Sequence, residues 1–266
     1  MADLTTLTNL KQYLKVTDSG SDSLLARLVS AASQYFLTQV NRGSFLVDSY
    51  TEQRAGHGTS SMLLLHYPVQ SVVELTINNE VIPASPDGVQ PGYVFDDYGI
   101  DLIGYRFHRG KGNISVTYTA GYPNQVVSNE AQTVPSASPY QITVDQAGSF
   151  EGSANASYLA SGLPLTSVTG VPTVGEFVEA ANGVLTFAAA DGGKQLLIGY
   201  EVSGVPGDVE QAVIELAALK YRSKNWIGER SQSQAGQITV SYSNADVERS
   251  VREVIDLYKR STLIPL

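Results

Sequence analysis

The sequence has no cysteine, only two methionines and a single tryptophan. Lack of cysteine excludes disulfide scaffolds, zinc fingers, iron–sulfur ligand sets and thiol nucleophiles. Charge is sparse at 16% of residues, and the 17 Lys+Arg are outnumbered by 26 Asp+Glu, giving a formal net charge of −9. A protein that grips nucleic acid along a basic face needs the opposite balance. No apolar run approaches the roughly 20 residues that span a bilayer. The opening MADLTTLTNLKQYLK lacks the basic and apolar regions of a secretory signal. What is plentiful is glycine (24) and tyrosine (15), with 42% hydrophobic residues over a length of 266. That composition fits one large or two small domains, rich in β-structure and turns.

Apolar spacing predicts an early helix through Leu7, Leu10 and Leu14, started near Thr5 or Thr8. A turn at residues 17–22 leads to a second helix carrying Leu24, Leu25, Leu28, Val29, Ala32, Tyr35, Phe36 and Val40 on one stripe, with Gly43 as its left-handed stop. From Phe45 to Ala120 the pattern is that of strands. Met62–Leu65 and Val72–Ile77 are bounded by turn residues, Asn78-Asn79 marks a hairpin, and Ile114, Val116 and Tyr118 alternate with polar residues. Residues 124–203 differ: seven acids face one base, Lys194, for a net of −6. Their apolar runs (Tyr140–Val144, Leu163–Val168, Val184–Phe187, Leu196–Tyr200) have strand length, which predicts a small all-β domain. Helix resumes after Gly204, with Pro206 suited to the first turn and Asp208 to the positive dipole end, and runs to about Trp226. The polar stretch Gly228–Gly236 reads as a flexible loop, Ile238, Val240 and Tyr242 as a strand, and Val247, Val251, Val254, Ile255 and Tyr258 as a last helix capped by Ser243 or Asn244. The expected architecture is α+β: a discontinuous helical domain with a small antiparallel β portion (1–123 and 204–266), interrupted by an all-β, sandwich-like insert (124–203). The insert's junctions are turn sequences of the kind that tolerate insertions.

Candidate chemistry is thin. His57, His66 and His108 lack the i, i+4 partner of a metal helix. The nucleophile elbow G-x-S-x-G is absent. Asp96, Asp97 and Asp101 do not follow a calcium-loop spacing, and Gly110-Lys111-Gly112 lacks the remainder of a phosphate loop. No cofactor, no metal site and no catalytic residue is expected. Basic residues gather around one turn (Arg106, Arg109, Lys111) and at the end of the third helix (Lys220, Arg222, Lys224, with Arg230 beyond). The latter group reads as a solvated helix end complementing the dipole, or as a contact to a neighbouring subunit or to DNA phosphate.

The order of several segments resembles the tailed-phage head–tail connector (adaptor) family. They are Asp22-Ser23-Leu24-Leu25-Ala26-Arg27-Leu28, Val40-Asn41-Arg42-Gly43, Leu64-Leu65-His66-Tyr67-Pro68-Val69, Val116-Thr117-Tyr118-Thr119-Ala120-Gly121-Tyr122 and Val205-Pro206-Gly207-Asp208-Val209-Glu210-Gln211-Ala212. In that family the last two run almost directly together; here about eighty residues separate them, as an insert would. The insert, with Gly183-Val184-Leu185-Thr186-Phe187, looks like small β-domains of other tailed-phage virion proteins. The resemblance implies a structural, non-enzymatic protein of the virion neck, assembled in the host cytoplasm. It implies a ring of about twelve copies beneath the portal protein, contacting the next neck or tail protein (a stopper or tail-completion protein) and passing double-stranded DNA without specific binding or any membrane contact. Within that frame Leu263, Ile264, Pro265 and Leu266 are expected to dock into the portal. Lys220, Arg222, Lys224 and Arg230 are expected at a channel or subunit contact, and the insert against capsid or fibre protein. The competing readings are another neck or tail protein such as a stopper, and a β-rich surface-binding module using Trp226 and the tyrosines.

Overall fold

In the computed structural model the described residues are 3–180, 183–224, 231–234, 238–241 and 245–260. They include four α-helices and sixteen strands: α1 (Leu7–Leu14), α2 (Asp22–Gln39), β1 (Asp48–Gly56), β2 (Ser61–Leu63), β3 (Val69–Ile77), β4 (Glu80–Val81), β5 (Gly92–Phe95), β6 (Gly99–Ile103), β7 (Gly110–Ala120), β8 (Gln125–Thr133), β9 (Gln141–Thr143), β10 (Phe150–Tyr158), β11 (Pro164–Ser167), β12 (Glu176–Ala180), β13 (Val184–Phe187), β14 (Gln195–Val202), α3 (Gly207–Ser223), β15 (Ser231–Gln234), β16 (Ile238–Ser241) and α4 (Ala245–Tyr258). The fold is α+β. The chain divides into two compact units, one comprising residues up to Gly43 together with Asn124–Arg260, the other Ser44–Pro123. Among the described residues no helix is long and apolar enough to cross a membrane.

The Ser44–Pro123 unit holds a four-stranded sheet, ordered β1-β7-β3-β4, and a three-stranded sheet, ordered β2-β6-β5. β7 alternates in burial along its second half, placing Ile114, Val116, Tyr118 and Ala120 inward, as strand pleat requires. They join Leu64, Leu75, Ile77, Ile100, Leu102 and Phe107 in one core. The Asn78-Asn79 hairpin forms as predicted, with φ of 53° and 65° at the two asparagines. Gly56 closes β1 where a Cβ would stand 1.8 Å from the His108 carbonyl oxygen. No side chain fits there without parting the strands.

In the other unit, α1 starts at Thr6, whose side chain accepts from the Asn9 backbone N–H. The N-cap is thus neither Thr5 nor Thr8. The apolar stripe of α2 buries Leu25, Val29, Ala32, Phe36 and Leu37. After α2 it is Asn41, with φ 55°, that takes the left-handed position expected of Gly43; asparagine tolerates that region through its short polar side chain. α3 buries Val209, Ala212, Val213, Leu216 and Ala217. α4 runs antiparallel to α3: the Tyr258 hydroxyl donates to Asp208 at 3.0 Å and the Ser250 hydroxyl to Glu215 at 3.0 Å. The end of α4 is tied to the end of α2 by the Arg260 N–H to the Val40 carbonyl, 3.0 Å.

Residues 125–202 of the same unit form a seven-stranded sheet in the order β8-β14-β10-β11-β12-β13-β9, antiparallel except for β11–β12. Phe177, Leu185, Phe187, Leu196, Ile198 and Tyr200 make its core. Three of its strands, β8, β10 and β12, fall outside the strand-length apolar runs of the sequence. β10 shows why: of its nine residues only Ala156 is buried. The stretch Gly228–Gly236, expected as a loop, contributes strand β15 instead, which pairs with β16 from Ser231↔Ser241 to Gln234↔Ile238. Backbone pairing needs no apolar side chains on the added strand, so its polar composition hid it.

Tyr200 yields a measurable consequence. Burial, and next the hydrogen bond its hydroxyl donates to Glu130, push it up to about 12. A raised pKa means that its stabilising contribution is complete below pH 10, the ordinary tyrosine value, and is lost as pH rises through about 12. Titrated by tyrosinate absorbance, the native protein should show a late component near pH 12 that Tyr200→Phe removes. An unchanged titration in that variant would contradict the assignment.

Candidate functional site

The polar side chains that the fold concentrates serve three local sites. The first lies in the Ser44–Pro123 unit. Glu52 sits inward on β1, only 6% exposed. Its Oε1 accepts from the Tyr118 hydroxyl on β7 and from the Leu65 N–H at 2.9 Å, while Arg54 Nη1 reaches Oε2 at 3.0 Å. His66 Nδ1 lies 3.2 Å from the Tyr118 hydroxyl and 3.6 Å from Glu52 Oε1, and its ring stacks on Tyr50 with centroids 3.6 Å apart. Burial pushes the Glu52 carboxyl up, but the hydrogen bonds from His66, Tyr118, Leu65 and Arg54 outweigh it and hold the carboxyl below its ordinary 4.5. The result is a clamp fastening the Leu65–His66 turn to β1 and β7. His66, which in sequence only lacks the partner of a metal helix, is thus a member of a polar cluster around a buried carboxylate. Glu52 was missed, because nothing local marks it: Tyr118 is 66 residues away.

The second site lies in the seven-stranded sheet. Asp191 is fully buried, and its carboxylate accepts from the Tyr158 hydroxyl at 2.6 Å, Lys194 Nζ at 2.7 Å and the Gly175 N–H at 3.2 Å. Burial opposes ionisation of Asp191, but Lys194, Tyr158 and Gly175 together hold it below its ordinary 3.8. The ammonium of Lys194, the single base of residues 124–203, also lies 4.7 Å from the centre of the Tyr158 ring. It is committed to an internal ion pair.

The third site is a seam between the sheet and the helices within one unit. Glu210, in the first turn of α3, accepts at Oε1 from Thr5 (3.0 Å) and Asn9 (2.6 Å), and at Oε2 from Ser149 (3.3 Å). Beside it the Thr6 hydroxyl donates to the Gly148 carbonyl at 2.7 Å. A Cβ at Gly148 would fall 1.4 Å from Asn9 Oδ1, so a side chain there would displace Asn9 from this seam. The sheet is docked on the helices by polar contacts.

The candidates read from sequence are dispersed. Lys220, Arg222 and Lys224 lie exposed in and just after the last turn of α3. Lys220 Nζ lies 5.5 Å from the Tyr35 ring centre and Lys224 Nζ 3.9 Å from that of Tyr221. The hydrogen bond with Ser21, followed by Lys224, draws the Tyr221 hydroxyl below its ordinary 10. Arg230, Trp226, Ser243, Asn244 and the tail Leu263, Ile264, Pro265 and Leu266 lie outside the described residues. Asp96 Oδ1 accepts the N–H groups of Tyr98 and Gly99, both at 2.8 Å, and so shapes its own turn. Among the described residues no group of three or more His, Asp or Glu is placed to hold a metal ion.

Residues 3–133 match the family model described as head completion protein, a span that contains α1, α2 and β1 through β8. The match agrees with the connector resemblance read from the sequence motifs and supports a structural virion protein. Among solved structures the chain is similar to one in the neck of an empty GTA particle resolved with C6 symmetry, at 12% identity and TM-score 0.40, over 98% of this chain and 91% of that one. The same values hold for a chain in the neck of the native GTA particle resolved with C12 symmetry, and for one in the virion of the native gene transfer agent. A likeness this distant carries no functional argument. No curated protein matches the sequence.

Proposed function

We propose that this protein is a structural component of the virion neck, forming a ring that joins the portal to the next neck or tail protein and lengthens the DNA channel. The observation that carries the reading is the head completion protein match over residues 3–133. Two features support it. The connector-like motifs stop after Tyr122 and resume before Pro206, and β8 and β14 pair there with Gln125 opposite Val202, which supports reading residues 124–203 as an insert. The net charge of −9 suits a channel through which DNA slides, since each Lys or Arg on a phosphate adds affinity. The insert projects away from the channel and braces a neighbouring capsid or fibre protein. Lys220, Arg222, Lys224 and Arg230 serve a channel or subunit contact.

Electron microscopy of the purified protein mixed with the portal of its virus tests this. A ring of these subunits stacked under the portal is the expected result. Absence of any association would sink the connector reading and favour a stopper or tail component. Within the same experiment, removal of residues 261–266 should abolish portal attachment while leaving the circular dichroism spectrum unchanged, because Leu263, Ile264, Pro265 and Leu266 are assigned to docking. Normal attachment of the shortened chain would refute that assignment.

A further inference from the structure

The two ends of β6 carry complementary surfaces. At its start the turn Asp96-Asp97-Tyr98 projects as a knob. Tyr98 is 57% exposed, with Leu63 (57%) and Phe95 (43%) beside it on paired strands, and the Tyr67 ring lies 5.5 Å from that of Tyr98. The knob is rigid: the Leu64 N–H donates to the Tyr98 carbonyl and the Val69 N–H to the Asp97 carbonyl, both at 2.9 Å. An exposed apolar cluster on a fixed turn is a surface in search of a partner. Its charge is of one sign, since residues 96–101 hold three acids and no base.

At the other end of β6 lies a hollow. A cavity of about 460 Å³ is lined by Ser60, Leu102, Gly104, Tyr105, Arg106 and His108. Arg106 is braced across it by a hydrogen bond from Nη1 to the Gly58 carbonyl, 3.3 Å. Arg109 and Lys111 are exposed just beyond. Residues 104–112 hold three bases and no acid. Knob and hollow are separated by the five residues of β6, roughly 16 Å of strand. One copy therefore never fills its own hollow.

We infer that the Tyr98 knob of one copy seats in the Arg106–His108 hollow of the next, with Asp96 and Asp97 facing Arg106 and Arg109. The occupant is a second copy of this chain because the aromatic side chain, the acidic flank, the hollow and its basic rim all lie on one unit in matching numbers. A contact between different surfaces of identical subunits is heterologous, and it builds a ring where its rotation closes. The inference deepens the neck reading by naming the surface through which copies meet.

The absence of cysteine makes the test clean. Tyr98→Cys and Arg109→Cys are introduced singly and together in the full chain, folding is checked by circular dichroism, and disulfides are formed by mild oxidation at high protein concentration. The double variant should give a ladder of oligomers, a mixture of the two singles should give one heterodimer, and each single alone should stay monomeric. Dimers of either single would indicate a symmetric contact and overturn the inference, as would a double variant without a ladder. A second pair keeps native side chains at the cross-link sites out of the question. Asp96→Lys/Asp97→Lys and Arg106→Glu/Arg109→Glu should each weaken self-association by about tenfold or more, and mixing the two should restore it. Loss of duplex-DNA binding in the arginine variant, with self-association unaffected, would make the basic end a DNA contact and also overturn the inference. A ring under the portal without a ladder removes only this contact; a ladder from a chain that ignores the portal removes only the neck assignment.

Discussion

Glu52→Ala should destabilise the Ser44–Pro123 unit by about 2–4 kcal/mol, because the buried carboxylate is the shared acceptor of several hydrogen bonds. The carboxylate is 6% exposed and serves Tyr118, Leu65, Arg54 and His66 at once. Alanine leaves the Leu65 N–H without its acceptor and the Tyr118 hydroxyl with His66 alone, and a buried donor left unsatisfied costs about 1–3 kcal/mol. Tyr118→Phe removes the hydrogen bond to the charge, about 1.5–3 kcal/mol, and also the one the hydroxyl accepts from the His66 N–H at 3.0 Å. The pH dependence has a fixed sign. The carboxyl is held below its ordinary 4.5, so its contribution is fully present above that pH and disappears as pH falls through the depressed value. Chemical denaturation at neutral pH and in acid measures both effects. Equal midpoints for wild type and Glu52→Ala at neutral pH would show that the clamp is not a source of stability, and the Glu52→Gln variant should lose part of the acid sensitivity.

Excision of residues 126–201, with the ends rejoined, should leave the helices and the Ser44–Pro123 unit folded. The geometry favours closure, because Gln125 and Val202 are paired neighbours and the Gly204 N–H donates to Asn124 Oδ1 at 3.2 Å. The excised sheet has its own core around Phe177, Leu185, Phe187, Ile198 and Tyr200. What the remainder loses is the seam, where Ser149 and Gly148 meet Glu210 and Thr6. Polar contacts of that kind contribute about 0.5–1.5 kcal/mol each, more where a charge takes part, so a loss of roughly 2–4 kcal/mol is expected. Thr5 and Asn9 still satisfy Glu210 after the excision. Helical circular dichroism and ring formation with the portal are the readouts. A shortened chain that collapses would make the inserted sheet part of the core rather than an attachment.

Alternation and helical spacing disclosed α2, α3, α4, β3, β7 and the Asn78-Asn79 hairpin, because in those segments a single face is buried and the sequence repeats its period. The same signal fails for β8, whose nine residues are nowhere fully buried, and for β10, where Ala156 alone is. It also fails at the end of α2, where left-handed Asn41 outranks the glycine two positions on. Candidate sites fared according to range. The basic turn Arg106, Arg109 and Lys111 was visible as a run, but the hollow beside it depends on Ser60, just before β2, and on Leu102 of β6. Lys194 stood out as a lone base among acids, yet its partner Asp191 could be known only once the Tyr158 hydroxyl and the Gly175 N–H were seen to converge on the same carboxylate.

The sequence by itself determined the class of fold, the helices that bury an apolar stripe, and the absence of thiol chemistry. These are properties of local period and composition, which the chain carries before it folds. Only the tertiary structure decided that Glu52 answers Tyr118, that Glu210 fastens the seven-stranded sheet through Asn9 and Ser149, and that the two ends of β6 oppose an acidic aromatic knob to a basic hollow. Those outcomes depend on where distant strands and helices come to rest. The energy of a hydrogen bond or ion pair is set by distance and burial in space, and neither is written in the spacing of residues along the chain.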